Sequence, residues 1–320
     1  MINFLVTGLN SLVGQAIIKS IINSNLKSFK IYSTDYVENK LFSKHINKFF
    51  YSPDIFKNKN ISEASFINFF IQIIIKNKID FFLVGVDFEL KIFSKYKEHI
   101  QTQTNVKLII MDYKIISFLK NKYLLQKKLK QKKLNYIESF NWNDFDNKKI
   151  KPKFPLIYRP KDDTSSKNIS FLNNKLDFKH IKKNHNFFFQ RLISSEFEYT
   201  SGISSFNNID FNILTLKRVL KNGDTIRAIN DKSTNIYNEY LLQVYKALNL
   251  WGPVNIQFKV LEKKVYIFEI NPRFSGTTFM RSLFGFNQID QMIDEMINNK
   301  TYKQTKVYGE IYRFYDEEKI

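Results

Sequence analysis

The stretch Asn255-Ile256-Gln257-Phe258-Lys259-Val260-Leu261-Glu262-Lys263-Lys264-Val265-Tyr266-Ile267-Phe268-Glu269-Ile270-Asn271-Pro272-Arg273 reads as a β-hairpin whose two arms alternate. Side chains at i and i+2 of a strand share a face. With a three-residue loop at 262–264, Leu261 pairs with Val265, Gln257 lies opposite Glu269, and Asn255 lies opposite Asn271. Ile256, Phe258, Val260, Tyr266, Phe268 and Ile270 then form an unbroken apolar face. One side of the hairpin is core, and the other gathers amide and carboxylate oxygens. Such oxygens suit a hard cation, since Mg²⁺ commonly takes one or two protein carboxylates and completes its shell with phosphate oxygens. Gln257, Glu269 and Asn271 carry one formal negative charge, so phosphate would have to finish the site. Pro272 ends the ladder, and Arg273 follows with a fixed fork for a phosphoryl oxygen. Taken alone, the same groups can equally face water.

Two upstream segments extend the pattern. Phe154-Pro155-Leu156-Ile157-Tyr158-Arg159-Pro160 is a strand that delivers Arg159 at its end. Lys161-Asp162-Asp163-Thr164-Ser165-Ser166-Lys167 follows, a loop long enough to close over a phosphate as a lid, though its residue types also suit any exposed loop. Phe187-Phe188-Phe189-Gln190 is a buried strand that breaks into an irregular Arg191-Leu192-Ile193 step before Glu196 and Glu198. Backbone groups at such a step can read an adenine edge, and a carboxylate shortly after can accept from ribose hydroxyls; an ordinary strand and edge is the other reading.

Outside these segments the chain sets broad bounds. Its 320 residues suffice for two or more cores, and 43% hydrophobic with 16% aromatic residues argue against wholesale disorder. The absence of cysteine removes disulfides and thiolate chemistry together, with the cytoplasm as default compartment. The longest apolar run, Phe66 to Ile75, is about half of the roughly 20 residues a bilayer helix needs, and the first residues read as strand, turn and helix instead of a signal peptide.

The net charge of +20 raises nucleic acid as a partner. Only seven of the 50 cations are arginine, however, and the Lys, Asn, Ile and Phe excess is what an AT-rich genome writes at tolerant surface positions. No nucleic acid and no membrane partner is expected.

Residues 1–111 alternate strands (2–7, 29–33, 81–86, 107–111) with helices (12–23, 65–76, 88–99), which implies parallel pairing; Asp87 is the expected N-cap of the third helix. Gly8 and Gly14 with Asp35 invite a dinucleotide reading, but the full glycine fingerprint is missing and a tight turn is favoured. A helix over 114–133 carries eight lysines on what reads as a solvated face. Beyond Lys153 short strands dominate, which reads as an α+β region with antiparallel sheet. Four histidines without an i, i+4 pair suggest no zinc helix. Arg227 and Arg281 stand open between facing an anionic substrate and a surface role.

Taken in order, the three segments resemble the ATP-grasp ligase superfamily, and specifically the ATP-binding part of carbamoyl-phosphate synthetase large subunits and stand-alone proteins like them. The strand ending in Arg159-Pro160 is similar to that family's Arg-Pro strand. Asn255-Ile256-Gln257-Phe258 with Phe268-Glu269-Ile270-Asn271-Pro272-Arg273 is similar to its metal-binding pair, and Asn121-Lys122 stands where an Asp-Lys or Asp-Arg pair opens the ATP region. The resemblance covers about residues 112–300. It implies an α/β plus α+β protein: a Rossmann-like pre-ATP-grasp parallel sheet over 1–111, then an ATP-grasp domain over 112–320, with a small lid lobe at 112–186 and a central and C-terminal lobe at 187–320.

It further implies ATP with Mg²⁺, or Mn²⁺ in its place, and a reaction in which a substrate carboxylate becomes an acylphosphate attacked by an amine or other nucleophile. The implied roles are Gln257, Glu269 and Asn271 as metal ligands, Arg159 and Arg273 as catalytic phosphate contacts, and Lys161, Ser165 and Ser166 in the lid. Gln190, Arg191, Leu192 and Ile193 form the adenine hinge, and Glu198, or Glu196 if the register slips, takes the ribose. Partners are then ATP, a small carboxylate and a nucleophile, with a homodimer left open. Two departures stand out: the lid has no glycine, and Gln190-Arg191 replaces a more usual Gln-Glu or Glu pair. A nucleic-acid-binding protein and a nicotinamide oxidoreductase on the N-terminal unit are the alternatives.

Overall fold

The computed structural model describes residues 1–37, 40–146, 151–162 and 168–314. The first unit runs β1 (Ile2–Thr7), α1 (Leu12–Ile22), β2 (Phe29–Asp35), β3 (Ile46–Tyr51), α2 (Glu63–Asn77), β4 (Phe81–Leu83), α3 (Glu89–Lys95), α4 (Lys97–Thr104) and β5 (Lys107–Ile109). Its five strands form a parallel sheet in the order β3-β2-β1-β4-β5. The order reverses direction between β1 and β4, which opens a crevice at their C-terminal ends. Ser11 caps α1 by accepting from the Gly14 N–H, and Ser62 caps α2 by accepting from the Ser65 N–H.

The third expected helix is two, α3 and α4, divided at Tyr96. Asp87 is not its cap: Phe88 holds that position without a side-chain bond, because the Asp87 carboxylate is turned away to Lys120 and Arg273. The lysine-rich helix is likewise two, α5 (Tyr113–Lys120) and α6 (Lys122–Gln131), with Asn121 capping the second. Its lysines are not all solvated, since Lys120 and Lys122 are buried in ion pairs.

Next come β6 (Ser139–Phe140), α7 (Trp142–Asp146), β7 (Leu156–Pro160), β8 (Ser170–Leu172), α8 (Lys175–His180) and β9 (Phe187–Arg191). These strands form a four-stranded antiparallel sheet in the order β6-β9-β7-β8, so the small sheet extends past residue 186. Its own core is aromatic, with Trp142, Tyr158 and Phe189 around Leu156.

The last unit runs β10 (Glu198–Ser204), β11 (Asn212–Lys221), β12 (Asp224–Asn230), a 3₁₀ turn, α9 (Asn238–Ala247), β13 (Val254–Leu261), β14 (Lys264–Asn271), α10 (Thr278–Leu283), α11 (Gln288–Met296) and β15 (Gly309–Tyr312). The six-stranded sheet, order β14-β13-β10-β11-β12-β15, is antiparallel throughout. Its buried face shares one core with the parallel unit: Phe66 and Phe82 belong to the same cluster as Leu125, Tyr245, Phe258 and Ile267. The first and last units are therefore packed as one body, whereas the small sheet keeps a separate core. No helix of the described residues is long and apolar enough to cross a membrane.

Candidate active site

The β13–β14 hairpin keeps the pairings that matter and changes how they arise. Asn255 lies opposite Asn271 and Gln257 opposite Glu269, as the alternation predicts. The loop has two residues instead of three, because Leu261 pairs with Lys264 and both Glu262 and Lys263 take positive φ, 50° and 62°. A β-bulge between Gln257 and Phe258 then absorbs the extra residue on β14. The apolar face changes with it. Val265, Ile267 and Ile270 are buried in the core, while Phe268, expected there, joins Glu269 in lining a cavity.

That cavity, about 370 Å³, lies between the small sheet and the six-stranded sheet. From β7 it takes Arg159, from β9 and the following step Gln190, Arg191, Leu192 and Ile193. From β10 and the hairpin it takes Glu198, Gln257, Glu269 and Asn271, and Arg273 joins them from just beyond β14. Gln190 is buried and donates to Ser139 Oγ at 3.2 Å, and the Leu192 N–H donates to the Pro155 carbonyl at 3.3 Å, so the irregular step is held in place by its neighbours.

Four expected residues stand elsewhere or outside the described residues. Glu196 is exposed and does not line the cavity. Lys161 points its ammonium at the His185 carbonyl, 2.6 Å, away from the lining. Ser165 and Ser166 lie outside the described residues.

Cations hold the acceptors, and two of them, Arg218 and Lys120, are given no role by the sequence pattern. Lys122, buried, has Nζ 3.6 Å from Glu269 Oε1. Arg218 on β11 pairs with Glu198 and donates to Gln257 Oε1 at 2.8 Å, reaching across β10. Arg273 pairs with Asp87, which also takes Lys120. Burial raises the Asp87 carboxyl, but the two cations outweigh it and hold the group well below the usual carboxylate range. Lys120 is pushed down by burial against the opposing pull of Asp87. Asp87 and Arg273 are 186 positions apart, so no local pattern could have joined them.

The metal reading passes a test of chemistry. Gln257, Glu269 and Asn271 present oxygen donors with a single carboxylate, and among the described residues no group of three His, Cys, Asp or Glu residues could hold an ion alone. A hard cation fits this set when phosphate oxygens supply the remaining ligands.

The family comparison supports an ATP-grasp domain in the last part of the chain. Residues 211–314 match the family model described as an ATP-grasp in the biosynthetic pathway with Ter operon. Among curated proteins, the carbamoyl phosphate synthase large chain of Thermoanaerobacter sp. (strain X514) is 45% identical over 51 residues, 16% of this chain and 5% of that one. The corresponding protein of Lachnoclostridium phytofermentans is 36% identical over 63 residues, 18% of this chain and 6% of that one. The matches thus span a small part of much longer proteins.

Solved structures resemble nearly the whole chain. The N5-carboxyaminoimidazole synthetase of Staphylococcus aureus complexed with ADP gives a TM-score of 0.71 at 14% identity over 96% of this chain and 80% of that one. Biotin carboxylase of Campylobacter jejuni gives 0.72 at 12%, over 97% and 74%. The L-amino acid ligase of Bacillus licheniformis gives 0.69 at 13%, over 92% and 74%. At such identities the likeness shows the fold.

Proposed function

We propose that the protein is an ATP- and Mg²⁺-dependent ligase that activates a substrate carboxylate as an acylphosphate for attack by an amine or another nucleophile. One observation carries the reading: residues 137 to 273, far apart in sequence, converge on a single cavity between two antiparallel sheets. Its lining combines apolar groups and the irregular β9 step with the oxygens of Gln257, Glu269 and Asn271 and with Arg273. The backbone of 190–193 would take the adenine edge and Glu198 the ribose. Arg159, Lys122 and Arg273 would hold phosphate oxygens, and the five-stranded parallel sheet serves as the Rossmann-like unit that walls the acid's side.

In the first step a carboxylate oxygen of the substrate bonds to the γ-phosphorus as the bond to ADP breaks. In the second a nucleophile adds to the acyl carbon and phosphate leaves. Carboxylate oxygen is a poor leaving group until phosphorylated, and the cations around the cleft neutralise charge on the migrating group. Mg²⁺, when bound by Gln257, Glu269 and Asn271, would supply Lewis acidity to the phosphate oxygens. The residues of the chain orient the reactants: Arg273 is fixed by Asp87, and its Nη1 also donates to the Phe274 carbonyl at 2.7 Å, which sets the plane of its fork.

Thermal unfolding with and without Mg-ATP tests this. Mg-ATP should raise the melting temperature by several degrees, and Glu269→Ala, which removes the one carboxylate of the metal set, should abolish the shift. A wild-type protein indifferent to Mg-ATP would overturn the reading.

A further inference from the structure

A second cavity of about 140 Å³ opens beside the first and shares Arg218, Gln257, Asn271 and Arg273 with it. Its far wall is built by Leu12 and Val13 at the start of α1, by the loop Ser275-Gly276-Thr277, and by Arg313, whose Nη2 donates to the Gly276 carbonyl at 2.6 Å. Beneath this wall lies Arg281 of α10, which is 0% exposed. The surface role left open for it by the sequence is therefore excluded. The other open arginine, Arg227, does pair at the surface, with Glu310.

Arg281 donates to Ser275 Oγ at 2.9 Å, to Asn255 Oδ1 at 2.6 Å and to Thr200 Oγ1 at 3.3 Å, and all three acceptors belong to residues that line the cavity. Every partner is neutral, and its Nε has none among the described residues. Burial, with Arg218 as a neighbouring cation, pushes the guanidinium down to about 9. The sheet makes room for it: a Cβ at Gly202 would stand 2.5 Å from the Arg281 Nε.

Buried charges are ordinarily paired, because an uncompensated ion in a low-dielectric interior is expensive. Arg218 and Arg273 have carboxylate partners in Glu198 and Asp87; Arg281 has none among the described residues. Donors converge on the same space. The first N–H groups of a helix lack intrahelical partners and carry partial positive charge, and two residues of the first turn of the 11-residue α1 face the cavity. Asn255 turns its oxygen to Arg281, which leaves its NH₂ for an occupant. Against these stands one lining acid among the described residues, Asp224, exposed at the rim.

We infer that the second cavity seats the acid substrate by a second anionic group, a carboxylate or a phosphate ester, so that Arg313 on its wall and the charge of Arg281 buried beneath it select a small dianionic acid over a simple monocarboxylate. This rests on the ligase reading. The reacting carboxylate lies at the Asn271–Arg273 border, where the two cavities meet, and the second anion lies toward Ser275, Thr277 and the start of α1. The space accommodates about ten non-hydrogen atoms, if each needs the roughly 10–15 Å³ of cavity that holds one water.

The test measures Mg-ATP-dependent phosphate release from the full chain with acetate, propionate and alanine against succinate, aspartate and phosphoglycolate. At least tenfold lower KM for the dianionic acids is expected. Succinate against phosphoglycolate tells which anion is preferred. Arg281→Met and Arg313→Gln should each raise that KM tenfold or more, and the Mg-ADP thermal shift in the same variants separates loss of the acid site from loss of the nucleotide site. If Arg281→Met does not fold, Arg313→Gln at the cavity wall decides the question by the same KM comparison. Equal use of monocarboxylates, or an Arg313→Gln variant with unchanged KM, overturns the inference. If Mg-ADP gives no shift in wild type, the ligase reading fails instead. The anion site is then judged by the shift that succinate or phosphoglycolate alone produces in wild type but not in Arg313→Gln, and its absence overturns the site as well.

Discussion

The crest of the parallel sheet and the cleft between the antiparallel sheets both collect glycines, acids and strand ends, yet they treat them in opposite ways. At the crest the glycine turn and the acid at the end of β2 are held by the protein's own hydrogen bonds. Asp35 accepts from the Asn10 and Tyr36 N–H groups, both at 2.7 Å, Thr7 Oγ1 accepts from the Gly85 N–H at 3.0 Å, and Ser11 donates to the Gly85 carbonyl at 2.8 Å. A Cβ on Gly14 would stand 2.0 Å from the Gly8 carbonyl oxygen, so these glycines allow close backbone contact in place of a phosphate cradle. In the cleft, side-chain oxygens are met by the ends of cationic side chains, Lys122 and Arg218, around open space. Similar residue types therefore mark a ligand site only where the backbone has not already claimed their hydrogen bonds.

Asp87 joins the two regions, and removing its charge gives the largest expected effect. Asp87→Asn leaves Arg273 and Lys120 without their anion, which should cost about 3–5 kcal/mol in chemical denaturation, the range for breaking a buried pair from one side. Because the folded carboxyl is held below its unfolded value, its contribution is present above about pH 4, the unfolded range. It is lost as pH falls through the depressed folded value. The variant should lack this acid-side loss. Equal stability of variant and wild type at pH 7 would mean that crest and cleft are not coupled through this carboxylate.

Glu89 sharpens the contrast from the crest side. It is buried and accepts from Tyr36 OH at 2.6 Å, and burial pushes it up to about 7 against the hydrogen bonds from Thr7 and Tyr36. A carboxyl whose folded value is raised favours the folded state at low pH, and stability falls as pH rises from the unfolded value through the folded one. Between pH 5 and 8 the wild type should lose up to about 3 kcal/mol that a Glu89→Gln variant does not lose. Denaturation midpoints of both proteins across that range decide it, and parallel curves would sink the assignment. Gly14→Ala comes next. Overpacking against the Gly8 carbonyl should cost about 1–3 kcal/mol while the Mg-ATP shift survives in the folded fraction, the reverse of Glu269→Ala.

Legibility followed sequence distance. The pairings of Asn255 with Asn271 and of Gln257 with Glu269 were readable because alternation along two adjacent arms sets them. The strands that carry Arg159 and Gln190 were readable as apolar runs. What escaped was non-local or short. Asp87, Lys120 and Arg218 gain their roles only from partners on other elements, and β3, β6, β8 and β15 were missed, three of them with four residues or fewer. The Glu262-Lys263 turn lacks the Asn-Gly or Asp-Gly signature of a two-residue loop, so a three-residue loop was the natural reading. Two errors, the loop and the unforeseen bulge, cancelled at Gln257 and Glu269 and left their mark on the residues between.

Phe268 is where that mark can be measured. A regular ladder would bury it beside Ile270; the bulge instead sets it next to Glu269 against the larger cavity, half-buried. Phe268→Ala should therefore cost little stability, less than the roughly 3–5 kcal/mol of a core phenylalanine truncation. It should weaken Mg-ADP binding about tenfold, roughly 1.4 kcal/mol, through lost apolar contact. Calorimetric titration of ADP alongside denaturation separates the outcomes. A large loss of stability with unchanged ADP affinity would put Phe268 back in the core and erase the bulge as the device that gives the cleft its apolar wall.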